Sequence, residues 1–248
     1  MKKILDSANL PLITLVCGAA GFLLRIWLLA TGFDEKGLLI SGHPAIWLLG
    51  LLSTAMIVFL FLGTGRLLEA PKYRFNFPAS LPGGVGTVLA AAGILICTLV
   101  EAFAGPDPFG IAVCVAGAIT VPALCWIGCC RWKGIHPSPV FHVAASIYLL
   151  LRLVWMYRQW SSDPQLQDYV FQLLALTCLM LACYNRSAFD ANMGTRRAYV
   201  FFNLAAVFFC LVSLPGCDSA VFYFSTGVWM LTNLCSLIPM KTTPGEEE

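Results

Sequence analysis

Apolar residues along the chain come in long unbroken runs, and polar residues gather in short clusters between them. Crossing about 30 Å of hydrocarbon takes roughly 20 apolar residues in a helix. On that measure the runs predict eight spans, at about 10–31, 44–64, 83–104, 109–130, 139–160, 167–184, 198–214 and 219–239. The sixth and seventh are the short ones. No ten-residue stretch alternates with period two, so a β-barrel is not expected, and in lipid only the helix then satisfies the backbone. The expected fold class is all-α: a polytopic integral membrane protein with eight transmembrane helices in one domain, residues 1–248, with both termini cytoplasmic.

Orientation comes from the Lys/Arg pattern. One set of connections holds Lys2, Lys3, Arg66, Lys72, Arg74, Arg131, Lys133, Arg186, Arg196, Arg197 and Lys241, and the other set holds Lys36 and Arg158. The first set is therefore read as cytoplasmic, in a cell (inner or plasma) membrane. The start of the chain looks superficially like a secretory signal. Its apolar stretch is long, carries Arg25 and lacks a clean small-residue cleavage site, so it is expected to stay as the first span. Trp27, Trp155 and Trp160 are expected at the outer interface, Trp126 and Trp132 at the inner one.

Composition sharpens the picture. The chain of 248 residues is 59% hydrophobic and 11% charged, with a mean hydropathy of +0.81. Soluble domains run nearer half apolar and a quarter charged. A net charge of +2 gives no field to hold nucleic acid, so no nucleic-acid partner is expected. Of the 11 Cys, all but Cys217 fall inside apolar runs, where Cys acts as a small hydrophobe. None is spaced for zinc, and no metal site or cofactor is expected. His136 and His142 flank the start of the fifth span and read as interfacial packing. The connections at about 65–82 and 185–197 are both basic and could meet anionic headgroups, although the positive-inside rule explains them as well. The outer loop TGFDEKGLLISGHP reads as a short hairpin, and the final GEEE as a solvated tail.

Chemistry is sought where polar atoms stand in the wrong solvent. A charge within a span costs about 2.5–3.5 kcal/mol on insertion scales. Arg25, Glu101 and Arg152 all fall in the outer third of outward-running spans, and Gln172 comes to a similar depth. Gly18, Gly21 and Arg25 share a helical stripe, as do Gly86, Ala90, Gly93, Cys97 and Glu101. Small residues permit close helix approach, so both charges are expected to face protein. Pro122 predicts a kink in the fourth span. The match between Leu23-Leu24-Arg25-Ile26 and Leu150-Leu151-Arg152-Leu153 raises a four-plus-four duplication.

Two readings of these charges stand side by side. In one, Arg25, Glu101, Arg152, Gln172 and His43 form an outward-facing polar cavity, with one Arg neutralised by Glu101 and the other left for a small anionic solute that is bound or transported. In the other, an Arg–Glu–Arg cluster pins helices together and the chain is a scaffold or sensory subunit for a partner protein. A lipid-active enzyme is a third alternative, needing Glu101 and His43 as its polar groups. No HExxH, GxSxG, Walker A or GxGxxG motif occurs. The last span has no Lys for a retinal Schiff base, and Glu101 alone makes no carboxylate dyad. Catalytic residues are therefore not assigned.

Overall fold

In the computed structural model, residues 9–34, 40, 42–161 and 166–238 are described. They form α1 (Leu10–Thr31), α2 (Pro44–Thr64), the single turn α3 (Tyr73–Asn76), α4 (Leu81–Phe103), α5 (Pro108–Lys133), α6 (Pro139–Trp160), α7 (Leu166–Asp190), α8 (Arg196–Ser213) and α9 (Ala220–Cys235). Seven of these helices are long and apolar enough to cross a membrane, and α9 is a shorter apolar helix. The chain is an all-α polytopic membrane protein. Large apolar side chains such as Trp47, Leu51, Phe61 and Phe103 stand exposed on the outer faces, as lipid-facing surfaces require.

Helix starts follow local chemistry. Pro at the first position costs no hydrogen bond, because that N–H lacks an intrahelical acceptor; α2, α5 and α6 begin at Pro44, Pro108 and Pro139. Asp107 caps α5, its Oδ1 accepting from Gly110 N at 2.9 Å. At the other end of α5, Gly134 takes φ +69° and donates its N–H to Cys130 O, the left-handed stop that glycine adopts without strain.

Packing brings α4 against α5 and α9, α6 against α5 and α7, and α8 against α1, α7 and α9. The predicted stripe on α4 is the seam. A Cβ on Gly86 would stand 1.9 Å from Thr232 Oγ1, and one on Gly93 1.8 Å from Ser225 Oγ. Gly18 and Gly21 of α1 likewise meet Leu211 and Val212 of α8. In the proposed duplication, α2 and α4 would correspond to α7 and α8. The latter pair packs side by side, whereas α2 packs on α1 and α8 and α4 on α5 and α9. The halves are not packed alike.

Three boundaries differ from expectation. The sixth span does not stop at 184: α7 runs on through Asn185–Asp190. Its polar end is accommodated because Arg186 and Asp190 turn into the bundle, where a hydropathy window reads them as loop. The last span contracts to α9, 16 residues. The basic 185–197 connection shrinks to 191–195. The middle of the expected outer hairpin, residues 35–39 with Lys36, and residue 41 lie outside the described residues, as do Lys2, Lys3, Lys241 and the GEEE tail; Ile40 N does donate to Gly32 O at 2.8 Å.

Candidate functional site

At the end of the bundle away from the basic connections, the last turns of α4 and α6, the first turns of α7 and the α8–α9 corner enclose a cavity of about 470 Å³. Glu101, Arg152 and Gln172 all line it. Arg152 sits about 12 Å below the end of α6, at 1.5 Å per residue. Its side chain spans from α4 to the start of α9. Nη2 pairs with Glu101 Oε1 at 2.6 Å, and Nη1 donates to Glu101 Oε2 at 3.0 Å and to Tyr148 Oη at 3.2 Å. Nη2 also donates to Ser219 Oγ at 3.3 Å, and the guanidinium stacks 4.5 Å from the Phe222 centroid. A two-point Arg–carboxylate fork of this kind is geometrically specific as well as strong.

The remaining wall is aromatic and amide-bearing. Trp160 stacks on Tyr169 across the α6–α7 turn, with centroids 4.0 Å apart and rings 12° from parallel. Gln159, Met156 and the exposed Asp218 complete it. Trp155 is held at the rim by donating Nε1 to Asp107 Oδ1 at 2.8 Å. Trp155 and Trp160 thus do more than mark an interface, whereas Trp126 and Trp132 are exposed at the basic end as expected. Burial pushes the Cys217 thiol up to about 11, so it stays protonated and a poor nucleophile at neutral pH.

Asp107 supplies a pH test. The Trp155 N–H, followed by the Gly110 N–H, lowers its carboxyl below the ordinary 3.8. A depressed carboxylate contributes stability that is present above the unfolded value and is lost as pH falls through the folded one. Acid unfolding of the wild type is therefore expected to gain a contribution below pH 3.8 that Asp107→Asn lacks. Parallel acid titrations followed by Trp fluorescence would read it; superimposable acid limbs would show that the cap and the Trp155 anchor carry no linkage.

Arg25 and His43 fall elsewhere. Arg25 is buried on α1 with its guanidinium 5.9 Å from the Phe171 ring and is not among the lining residues. His43 caps α2: Nδ1 accepts from Ala45 N at 3.3 Å, and Nε2 meets Thr31 Oγ1 at 3.2 Å. Depth along a span placed Arg25 level with Glu101, but α1 packs on α2 and α8, and that adjacency is not in the local pattern.

A second polar cluster, absent from the sequence reading, occupies the basic end. His142 is buried rather than interfacial, with Nδ1 at 2.6 Å from Asp190 Oδ2. Asp190 is thus a buried carboxylate in addition to the half-buried Glu101 at the opposite end. Arg186 lies one turn earlier on α7, its Nε 3.6 Å from Asp190 Oδ1 and its guanidinium 3.4 Å from the Phe77 centroid. Arg131 stands 5.1 Å from the same ring and donates Nη2 to Ser236 Oγ. Arg196 donates to Asn76 Oδ1 at 3.0 Å and to Ile238 O at 2.6 Å. Asn76 in turn shapes the α2–α4 connection through Ala70 O and Lys72 O. Glu69 accepts the Arg196 N–H at 2.7 Å and the Arg197 N–H at 3.4 Å, capping α8 from a distant loop. The signal that could have found this cluster is periodicity: Gln172, Leu176, Leu179, Cys183, Arg186 and Asp190 continue one stripe at steps of three and four.

Fold and site together define a multi-pass helical membrane protein with a polar cavity at one end and a buried basic cluster at the other. Comparison with protein-family models, curated proteins and solved structures returned no match.

Proposed function

We propose that this chain is a solute-binding membrane protein whose ligand occupies the cavity walled by Glu101, Arg152 and Gln172. One observation carries the reading: a cavity of about 470 Å³, within the 300–1,000 Å³ typical of small-molecule sites, mixes convergent polar groups with a stacked aromatic pair. The Lys/Arg bias supports placing the basic end in the cytoplasm and the cavity mouth outside. The chemistry argues against the anion first expected. Glu101 neutralises Arg152, Arg25 stands outside the lining, and Asp218 adds a negative charge at the rim. A neutral or cationic solute with an apolar face fits better, because the Trp160–Tyr169 pair offers a ring surface to a cation or methylated amine.

The scaffold reading has one observation in its favour: Arg152 already hydrogen-bonds Glu101, Tyr148 and Ser219, as a clasp would. The enzyme reading gains nothing, since Glu101 is engaged by Arg152 and His43 serves as a cap. A thermal-unfolding screen of the purified chain against small ammonium compounds, amino acids and polyols separates them. A ligand at 100 times its Kd is expected to add about 2.7 kcal/mol, and Gln172→Leu is expected to abolish that shift while leaving the ligand-free protein folded. If no compound stabilises the wild type, the cavity reading fails and the clasp reading stands.

A further inference from the structure

At the basic end, Nε and Nη1 of Arg131 and Nη1 and Nη2 of Arg186 are buried without a hydrogen bond of normal geometry, and the Tyr199 hydroxyl is buried within interaction range of Arg186, its own proton without an acceptor. Arg131 and Arg186 are 1% and 2% exposed and repel one another; their charges are also those that act most on the Tyr199 hydroxyl. Among the described residues the cluster holds one buried carboxylate, Asp190, which is shared between His142 at 2.6 Å and Arg186 Nε at 3.6 Å, so one carboxylate stands against two buried guanidinium groups. Glu69 faces the α8 amino end and Arg197. Buried cations normally have partners, since an unpaired charge in low dielectric is costly. Stacking on Phe77 and Tyr73 fixes the guanidinium planes without satisfying their N–H groups.

We propose that Arg131 and Arg186 bind a phosphate group, from a lipid headgroup or from free phosphate, with the Tyr199 hydroxyl as a further donor. Two cations and five donor atoms exceed what a carboxylate's two oxygens and single charge can use, whereas a phosphate offers more acceptor oxygens and up to two charges. The Nη1/Nη2 edge of Arg186 presents the end-on pair that suits bidentate oxyanion binding. The level is right as well: Arg131 is in the last turn of α5 and Arg186 one turn from the end of α7, headgroup depth for these spans. Tyr73 stands between the cluster and the surface. Its ring lies 5.1 Å from the Arg186 guanidinium on one side and 4.3 Å from the exposed His136 on the other. Lys72, Arg74 and Lys133, neighbours in sequence of Tyr73 and Arg131, stand exposed and would draw anions toward this end of the bundle. This site is independent of the cavity at the opposite end.

The test uses the full chain, delipidated in neutral detergent. Thermal unfolding is titrated with inorganic phosphate at constant ionic strength set by chloride, and separately with dihexanoyl phosphatidic acid against dihexanoylglycerol. A saturable rise in Tm is expected with the phosphate-bearing probes and not with chloride or dihexanoylglycerol. Half-saturation by phosphatidic acid at about tenfold lower concentration than by phosphate, about 1.4 kcal/mol, assigns the site to a lipid headgroup; equal or tighter action by phosphate assigns it to the free anion. Tyr199→Phe keeps the ring against Phe77 and Phe189 and is expected to raise the half-saturating concentration about fivefold. Arg186→Lys, which keeps the charge and loses the fork, is expected to raise it about tenfold. The proposal is overturned if neither probe gives a saturable shift, or if Tyr199→Phe leaves the midpoint unchanged.

Discussion

Glu101→Leu is expected to destabilise the protein by about 3–5 kcal/mol, because it leaves the Arg152 guanidinium buried without its counter-charge. Arg152 is fully buried and makes four polar contacts, two with the Glu101 carboxylate of α4 and one each with Tyr148 of α6 and Ser219 at the start of α9. The cost falls on the charge left behind and not on the lost bond alone. The double variant Glu101→Leu/Arg152→Met removes both ions and fills the space with apolar atoms, so it is expected to recover much of the loss. Equilibrium unfolding in mixed micelles, run on wild type, both single variants and the double, gives the coupling directly. Additive costs would mean that the two side chains act independently and that the clasp holds nothing together.

The second large effect belongs to Asp190. Among the described residues it is the one buried carboxylate of the basic cluster, with Arg186 Nε at 3.6 Å, and it anchors His142 at 2.6 Å. Asp190→Asn keeps the shape and removes the charge, and a loss of about 3–5 kcal/mol is expected on the same reasoning. Asp218→Asn, an exposed rim carboxylate at the opposite end, is the control and should stay within about 0.5 kcal/mol. Equal losses from the two would mean that burial of Asp190 does not matter to its energetics.

Much of the architecture could be read from the chain itself, and the reason is lipid. With no water to satisfy the backbone, long apolar runs have one solution, and seven of the expected spans are long helices with the last only shortened. The α4 stripe from Gly86 to Glu101 faces protein as its spacing implies, and Glu101, Arg152 and Gln172 meet at the depth their positions suggest. Which arginine Glu101 chooses was not legible. That choice depends on α6, and not α1, standing in the same part of the bundle, a property of helix order around the axis. The basic cluster escaped for a different reason. Arg131, Arg186 and Arg196 carry the charge that a topology rule assigns to the aqueous side, and the same rule hides the few that turn inward. His142 looked interfacial because its partner, Asp190, lies 48 residues on, within a segment read as loop.

The two ends also differ in how much chain must exist before they can close. Ties at the cavity end link residues 48 to 67 positions apart, as in Trp155–Asp107, Arg152–Glu101 and Arg152–Ser219. At the basic end His142–Asp190 also closes over 48 positions, but Arg131–Ser236, Tyr73–Asn192, Arg196–Asn76 and Arg196–Glu69 span 105 to 127. Distant pairings wait longest, because loop closure grows costlier with separation and the later partner must first be synthesised. During biogenesis, Glu69 and Asn76 are therefore in place at the membrane surface long before the amino end of α8 arrives to meet them. One basic-end tie, Arg131–Ser236, is expected to close after Arg152–Ser219 at the cavity end, because its partner is synthesised later.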